Sequence, residues 1–138
     1  MAGDVVQVVP TSQVRKPVAI LIVEDEPLIA SYICEVLEGA GFTVAGAASS
    51  APEALTLAEQ TRPRLALIDI GLPGEMDGIA LAQKLREQFA VPAIFLSGLG
   101  DAQTVARSDV ARPLGFLNKP FRPSQVFNAI ELALDAAG

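Results

Sequence analysis

"RLALIDIGLPGEMDG", residues 64–78, decides how this chain is read. An apolar run, Leu65-Ala66-Leu67-Ile68, drives straight into a carboxylate, Asp69, with Gly71 and Pro73 close behind. A short continuous apolar run bounded by turn residues fits a strand buried on both faces, as in a parallel sheet covered by helices. Such a strand has no structural use for a charge, because burying an isolated carboxylate is costly. Asp69 therefore marks the end of the strand, and something must wait for it there.

Outward from that stretch the pattern is regular. The apolar runs predict strands over 18–23, 42–48, 64–69, 92–97 and 115–118. Between them lie helical segments over 27–41, 50–60, 77–89 and 101–110, and a closing helix over 123–137. In the first helix Pro27 suits the first turn, and Leu28, Ile29, Tyr32, Ile33, Val36 and Leu37 form one stripe. Gly39 and Gly41 stop it. Ser50 is read as the cap of the second helix, with Pro52 and Glu53 in its first turn. The third helix presents Ile79, Leu81, Ala82, Leu85 and Phe89. The fourth is weak, with Val105 and Val110 as its sizeable apolar residues. Strands alternating with helices imply right-handed crossovers and a parallel α/β sheet. Residues 1–17 contain "VVQVV", isolated by Pro10 and Pro17, and are read as a loose leader before one domain at 18–138.

Composition narrows the function. The chain has 138 residues, 51% hydrophobic, with a net charge of −6 and a pI of about 4.5. Nucleic-acid binders need basic surface to neutralise phosphates, so that partner is not expected. There is no histidine, which excludes a Ser-His-Asp triad, a Cys-His pair and a His-ligated zinc site. The single cysteine, Cys34, cannot form an internal disulfide and reads as a small core residue. The strongest apolar run, 18–23, is far too short to span a membrane, and the N-terminus lacks the pattern of a signal peptide. A cytoplasmic protein with no membrane partner is the expectation.

Open α/β sheets bind ligands beyond the carboxyl ends of their strands. Those ends carry Glu24-Asp25-Glu26, then Asp69, then Ser97-Gly98, then Lys119-Pro120. Taken singly each is ordinary; Glu26 in particular reads as a solvated turn or helix cap. Together they describe a chemistry. Carboxylates from Glu24, Asp25 and Asp69 would repel one another at close range, and a hard divalent cation relieves that repulsion. Mg2+ suits such oxygen ligands and keeps several waters. Lys119 adds a fixed positive charge and Ser97 a hydroxyl donor. A cation, an ammonium and a hydroxyl around one carboxylate cradle a phosphoryl group, and the carboxylate becomes a nucleophile that forms an aspartyl phosphate. Gly71 lets the backbone fold tightly, so that a main-chain carbonyl can face the same ion, and Pro73 stiffens the loop.

Four pieces, "ILIVEDE" (20–26), "LALIDIGLPGEMDG" (65–78), "FLSG" (95–98) and "GFLNKPF" (115–121), stand in an order and spacing that resembles the receiver domain of two-component response regulators. The resemblance runs from Val18 to the C-terminus. It implies a flavodoxin-like (βα)5 doubly wound sandwich, with five parallel strands in the order 2-1-3-4-5. It implies Asp69 as phosphoacceptor, Asp25 as direct Mg2+ ligand, Glu24 acting through water, and Gly71 giving its backbone carbonyl. Ser97 resembles the switch hydroxyl and Phe116 the switch aromatic, although a Phe beside an apolar strand is also a common core residue. Lys119 resembles the phosphate-pairing lysine, followed by Pro120, which in such domains is usually cis. The sequence departs from the pattern by an extra residue before Asp77-Gly78, by Gly98 after Ser97, and by Arg112-Pro113 before the fifth strand. "FLSG" resembles a bacterial subclass of stand-alone receivers with a loose fourth helix.

The residues after Lys119 suffice for a closing helix, so the expected protein is a stand-alone switch. A sensor histidine kinase or a histidine phosphotransfer protein supplies the phosphoryl group. An unidentified downstream protein reads the face made by helix 4, strand 5 and helix 5. No enzyme activity is expected beyond self-catalysed phosphorylation and dephosphorylation. The alternatives are a phosphate sink with the same chemistry and a receiver-shaped interaction module that takes no phosphate. A haloacid-dehalogenase type enzyme would want an Asp at the position of Gly71. A flavodoxin-like cofactor binder would want a Ser/Thr/Gly-rich loop where Glu24-Asp25-Glu26 stands.

Overall fold

The computed structural model describes residues 18–137. Its elements alternate as β1 (Ala19–Val23), α1 (Pro27–Gly39), β2 (Thr43–Ala48), α2 (Ala51–Thr61), β3 (Leu65–Asp69) and α3 (Gly78–Phe89). There follow β4 (Ala93–Ser97), a short α4 (Ala102–Ala106), a 3-10 turn (Ser108–Ala111), β5 (Gly115–Asn118) and α5 (Pro123–Ala137). The five strands are parallel in the order β2-β1-β3-β4-β5, as the resemblance implies. The leader, "VVQVV" included, lies outside the described residues.

The continuous apolar runs have a simple cause: alternate side chains leave opposite faces of a strand, and both faces are covered. Leu21, Val23, Ala66, Ile68 and Phe95 pack on one face with Ala54 and Ala58 of α2 and Ile79, Leu81 and Leu85 of α3. Ile20, Ile22, Leu65, Leu67, Ile94 and Leu96 pack on the other with Ile33 and Leu37 of α1 and Val126 and Ile130 of α5. β1, β3 and β4 thus sit inside a two-sided core, and their C-terminal residues reach its edge together. Among the described residues no helix is long and apolar enough to cross a membrane.

Local signals set the helix ends. Ser50 accepts the Glu53 amide at 3.4 Å, and Asp77 accepts the Ala80 amide at 2.9 Å. α1 ends with Gly41 at φ 92°, where the Gly41 and Phe42 amides close on Glu38 and Leu37 carbonyls. α1 differs from its expected stripe, because Leu28 is 85% exposed while Ile33 and Leu37 are buried. A stripe that wide exceeds what the sheet face covers, and its N-terminal end overhangs the rim.

The fourth helix is shorter than 101–110. It closes after Ala106, and the chain continues in a 3-10 turn that buries Ser108 and Ala111 while Val110 points to solvent. None of the residues of α4 is buried. Without an apolar stripe of helical period, nothing draws this segment into a longer helix.

Gly78 fixes where α3 meets the sheet. A Cβ there would lie 2.4 Å from the Asp69 carbonyl oxygen and 3.0 Å from Ile70 Cα, both backbone atoms that cannot turn aside. Only glycine lets α3 start against the end of β3. Gly78→Ala should therefore cost about 1–3 kcal/mol in urea unfolding. Gly39→Ala, where a Cβ meets nothing within 4 Å, should gain up to about 1 kcal/mol from helix propensity. A Gly78→Ala protein as stable as the parent would contradict this packing.

Candidate functional site

The sheet delivers its polar residues to one rim. Asp69 ends β3, the central strand, between Glu24 after β1 and Ser97 at the end of β4. Lys119 follows β5 at the sheet edge, anchored by its amide on the Ser97 carbonyl at 2.7 Å. The Lys119-Pro120 bond is cis, as the resemblance implies. From that edge the lysine reaches back over β4 and β3. Its Nζ lies 2.9 Å from Glu24 Oε1, 3.7 Å from Asp69 Oδ1 and 4.0 Å from Glu26 Oε1.

Burial makes these charges matter. Glu24 is 2% exposed and Asp69 7%. Glu24 Oε2 accepts the Glu26 amide at 3.1 Å, and Oε1 meets the Lys119 ammonium at 2.9 Å, within charge-assisted hydrogen-bond distance. Asp69 Oδ1 accepts the Gly71 amide at 3.0 Å. Burial and the Glu24 carboxylate push the Asp69 carboxyl up to about 6, against the pull of the Gly71 amide and Lys119. Burial pulls the Lys119 ammonium down, but Glu24, Asp69 and Glu26 outweigh it and raise its pKa.

Carboxylate oxygens of Glu24, Asp25 and Asp69 all lie within 4.8 Å of one another, with Asp25 exposed at the mouth. Three carboxylates against one ammonium leave excess negative charge, and every donor is a hard oxygen. This set fits Mg2+. Glu26, expected as a cap or a solvated turn, occupies the N-cap position of α1 without a side-chain capping bond and stands at the outer edge of the lysine's reach.

Ser97 is 5% exposed and donates to Asn118 Oδ1 at 2.9 Å, away from Asp69. Phe116 is 40% exposed and rests its ring against Phe95, with 6.0 Å between centroids. It is therefore not a core residue. Asn118 and Asp101 carry no signal in the sequence reading. Asn118 is placed by the register that sets it beside Ser97. Asp101, read only as a helix start, turns back so that its Oδ2 accepts the Gly98 amide at 2.7 Å. Around Lys119 a groove of about 600 Å3 is walled by Leu28, Ile29, Tyr32, Leu99 and Phe121. Leu28 and Leu99 stand almost fully in solvent, and the Tyr32 hydroxyl donates to the Phe121 carbonyl at 3.1 Å.

Residues 20–131 match the response regulator receiver domain family. The chain is 35% identical over 118 residues to the transcriptional regulatory protein PdtaR of Mycobacterium tuberculosis, covering 86% of this chain and 57% of that protein. It is 37% identical over 116 residues to the phyllosphere-induced regulator PhyR of Methylorubrum extorquens, covering 83% of this chain and 43% of that protein. The chain thus spans about half the length of the curated relatives it matches. Among solved structures it resembles the signal receiver domain of a modulated diguanylate cyclase from Desulfovibrio desulfuricans G20. The TM-score is 0.83 at 34% identity, over 88% of this chain and 97% of that one. A CheY-like receiver domain protein from Methanospirillum hungatei JF-1 gives 0.78 at 30% identity, over 88% and 97%.

The raised Asp69 carboxyl has a signature in stability. The folded protein holds this proton more tightly than the unfolded chain, whose carboxyl keeps the ordinary 3.8. Metal-free stability should then fall as pH rises from the ordinary value through about 6. Asp69→Asn removes the charge and keeps the shape. In chelator it should be more stable than the parent at neutral pH, by on the order of 1–3 kcal/mol. The gain should fade as the pH drops below the ordinary carboxyl value. Urea titrations across that range decide it; a gain that ignores pH would place its cause elsewhere.

Proposed function

The chain belongs to the response regulator receiver domain family, and from that premise we propose that Asp69 accepts a phosphoryl group and thereby switches a protein-binding surface. The observation that carries this reading is the convergence of Lys119 on Asp69 and Glu24 at the rim of the sheet, 3.7 Å and 2.9 Å away. The chain has no histidine, so the imidazole of a phosphohistidine donor lies outside these 138 residues. A sensor histidine kinase or a histidine phosphotransfer protein fits that role.

In the step itself an Asp69 carboxylate oxygen forms a bond to phosphorus as the donor's P–N bond breaks and the imidazole departs. β3 holds the nucleophile still, and the Gly71 amide fixes one of its oxygens, leaving the other to attack. Lys119 sits where it neutralises charge on the transferred oxygens. Asp25, Asp69 and the Gly71 carbonyl would hold Mg2+, with Glu24 acting through water, and the ion would supply further charge neutralisation there. Leu28 and Leu99, in the groove around Lys119, give the donor an apolar landing surface.

The new phosphate offers strong acceptors to Ser97, whose hydroxyl would exchange Asn118 for a phosphoryl oxygen. Phe116, half-exposed on the adjoining strand, moves with it, and the surface of α4, β5 and α5 changes for a partner to read. The thin packing of α4 supports a response at low cost.

Labelling with acetyl phosphate and Mg2+ tests the assignment. The parent should take one phosphoryl group, and chelator should abolish it. Asp69→Asn should take none while keeping its fold, and Asp25→Ala should need far more Mg2+. Label persisting on Asp69→Asn would move the acceptor elsewhere.

A further inference from the structure

Asp101 takes no part in the reaction above, yet it stands at its mouth. It occupies the N-cap position of α4, where an Asp ordinarily accepts a hydrogen bond from the helix's own first-turn amides. It makes no such bond. Its Oδ2 turns back to the Gly98 amide at 2.7 Å. Its Oδ1 hangs over the bare backbone of Gly71: a Cβ on Gly71 would lie 3.3 Å from Asp101 Oδ1 and 3.7 Å from Asp69 Oδ1. A Cβ on Gly98 would lie 3.9 Å from Asp101 Oδ2 and 3.7 Å from Lys119 Cδ. The carboxylate therefore crowds the bare backbone of Gly71 and lies in ordinary contact range of Gly98, near both the acceptor and the lysine stem. Among the described residues the ion pairs of this rim run from Lys119 to Glu24, Glu26 and Asp69, and none reaches Asp101.

We infer that Asp101 is a positioning residue that keeps the unphosphorylated site closed: it holds the Gly98 amide and the room over Gly71, and the phosphoryl group on Asp69 displaces it. This rests on Asp69 as acceptor. A phosphoryl group brings about 1.5–2 negative charges into a rim already rich in carboxylates, so the carboxylate that no ammonium pairs with leaves. Its departure frees the Gly98 amide to donate to a phosphoryl oxygen. It also releases the start of α4, because Asp101 is the residue from which that helix springs. Asp101 makes and breaks no covalent bond; it opposes transfer by charge and by occupying a donor.

Three proteins decide it: the parent, Asp101→Ala and Asp101→Asn. With acetyl phosphate and Mg2+, both variants should be phosphorylated faster than the parent, by about fivefold for removal of one nearby charge in a partly solvated site. Both should bind beryllofluoride, a phosphoryl mimic, more tightly by a similar factor. The amide NMR signal of Gly98 should move on adding beryllofluoride to the parent. In Asp101→Ala it should start displaced, whereas Asn, which keeps an acceptor for that amide, should start near the parent position. If Asp101 merely braces the loop, the variants will lose stability in urea with rates and beryllofluoride affinity unchanged or lower, and the inference is overturned. A parent that takes no phosphoryl group would instead overturn the Asp69 reading, and this inference with it.

Discussion

The site depends on one ion pair, Lys119 to Glu24 at 2.9 Å, closed across the top of the sheet. β5 lies at one edge and β1 on the far side of β4 and β3. To reach Glu24 the lysine must lie over the end of β3, and so it passes Asp69. Glu24 is almost wholly buried and its Oε1 has the lysine ammonium as its polar partner, so it tolerates burial only while the ammonium stays. Removing one partner of such a pair typically costs about 3–5 kcal/mol, because the other charge is left uncompensated. The pair thus fixes the lysine beside Asp69.

That constraint orders the rest. A sheet buried on both faces brings β1, β3 and β4 to one level, and the charges can stand only where those strands emerge. The ammonium offsets only part of the negative charge, and burial together with the Glu24 carboxylate keeps the Asp69 carboxyl at about 6. The excess of carboxylates over ammonium is the reason this rim suits a cation. α4 is the element with the least holding it in place, since it buries no residue.

Much of this was legible in the sequence because it sits at strand ends. Asp69 follows an unbroken apolar run, and Glu24 and Lys119 follow their own strands in the same way, so their convergence follows from parallel topology. Ser50 and Gly41 announced their caps by residue type. Other features depend on tertiary placement. Leu28 belongs to the apolar stripe of α1 by period, and only the extent of the sheet face shows that it overhangs. Asn118 meets Ser97 through strand register, which local pattern does not carry. Asp101 looks like any helix cap until its side chain is seen turned toward Gly98. Gly78 has an ordinary helical position, and its necessity comes from the Asp69 carbonyl above it.

The most direct test is a carboxyl carbon NMR titration of Asp69 in the metal-free protein, in the parent and in Lys119→Gln. The parent should titrate at about 6. Loss of the ammonium beside it should carry the value higher still, because the lysine is among the groups holding it down. An Asp69 that titrates in the ordinary carboxylate range, or that does not respond to loss of Lys119, would show that the lysine is not held over this carboxylate and would contradict the account.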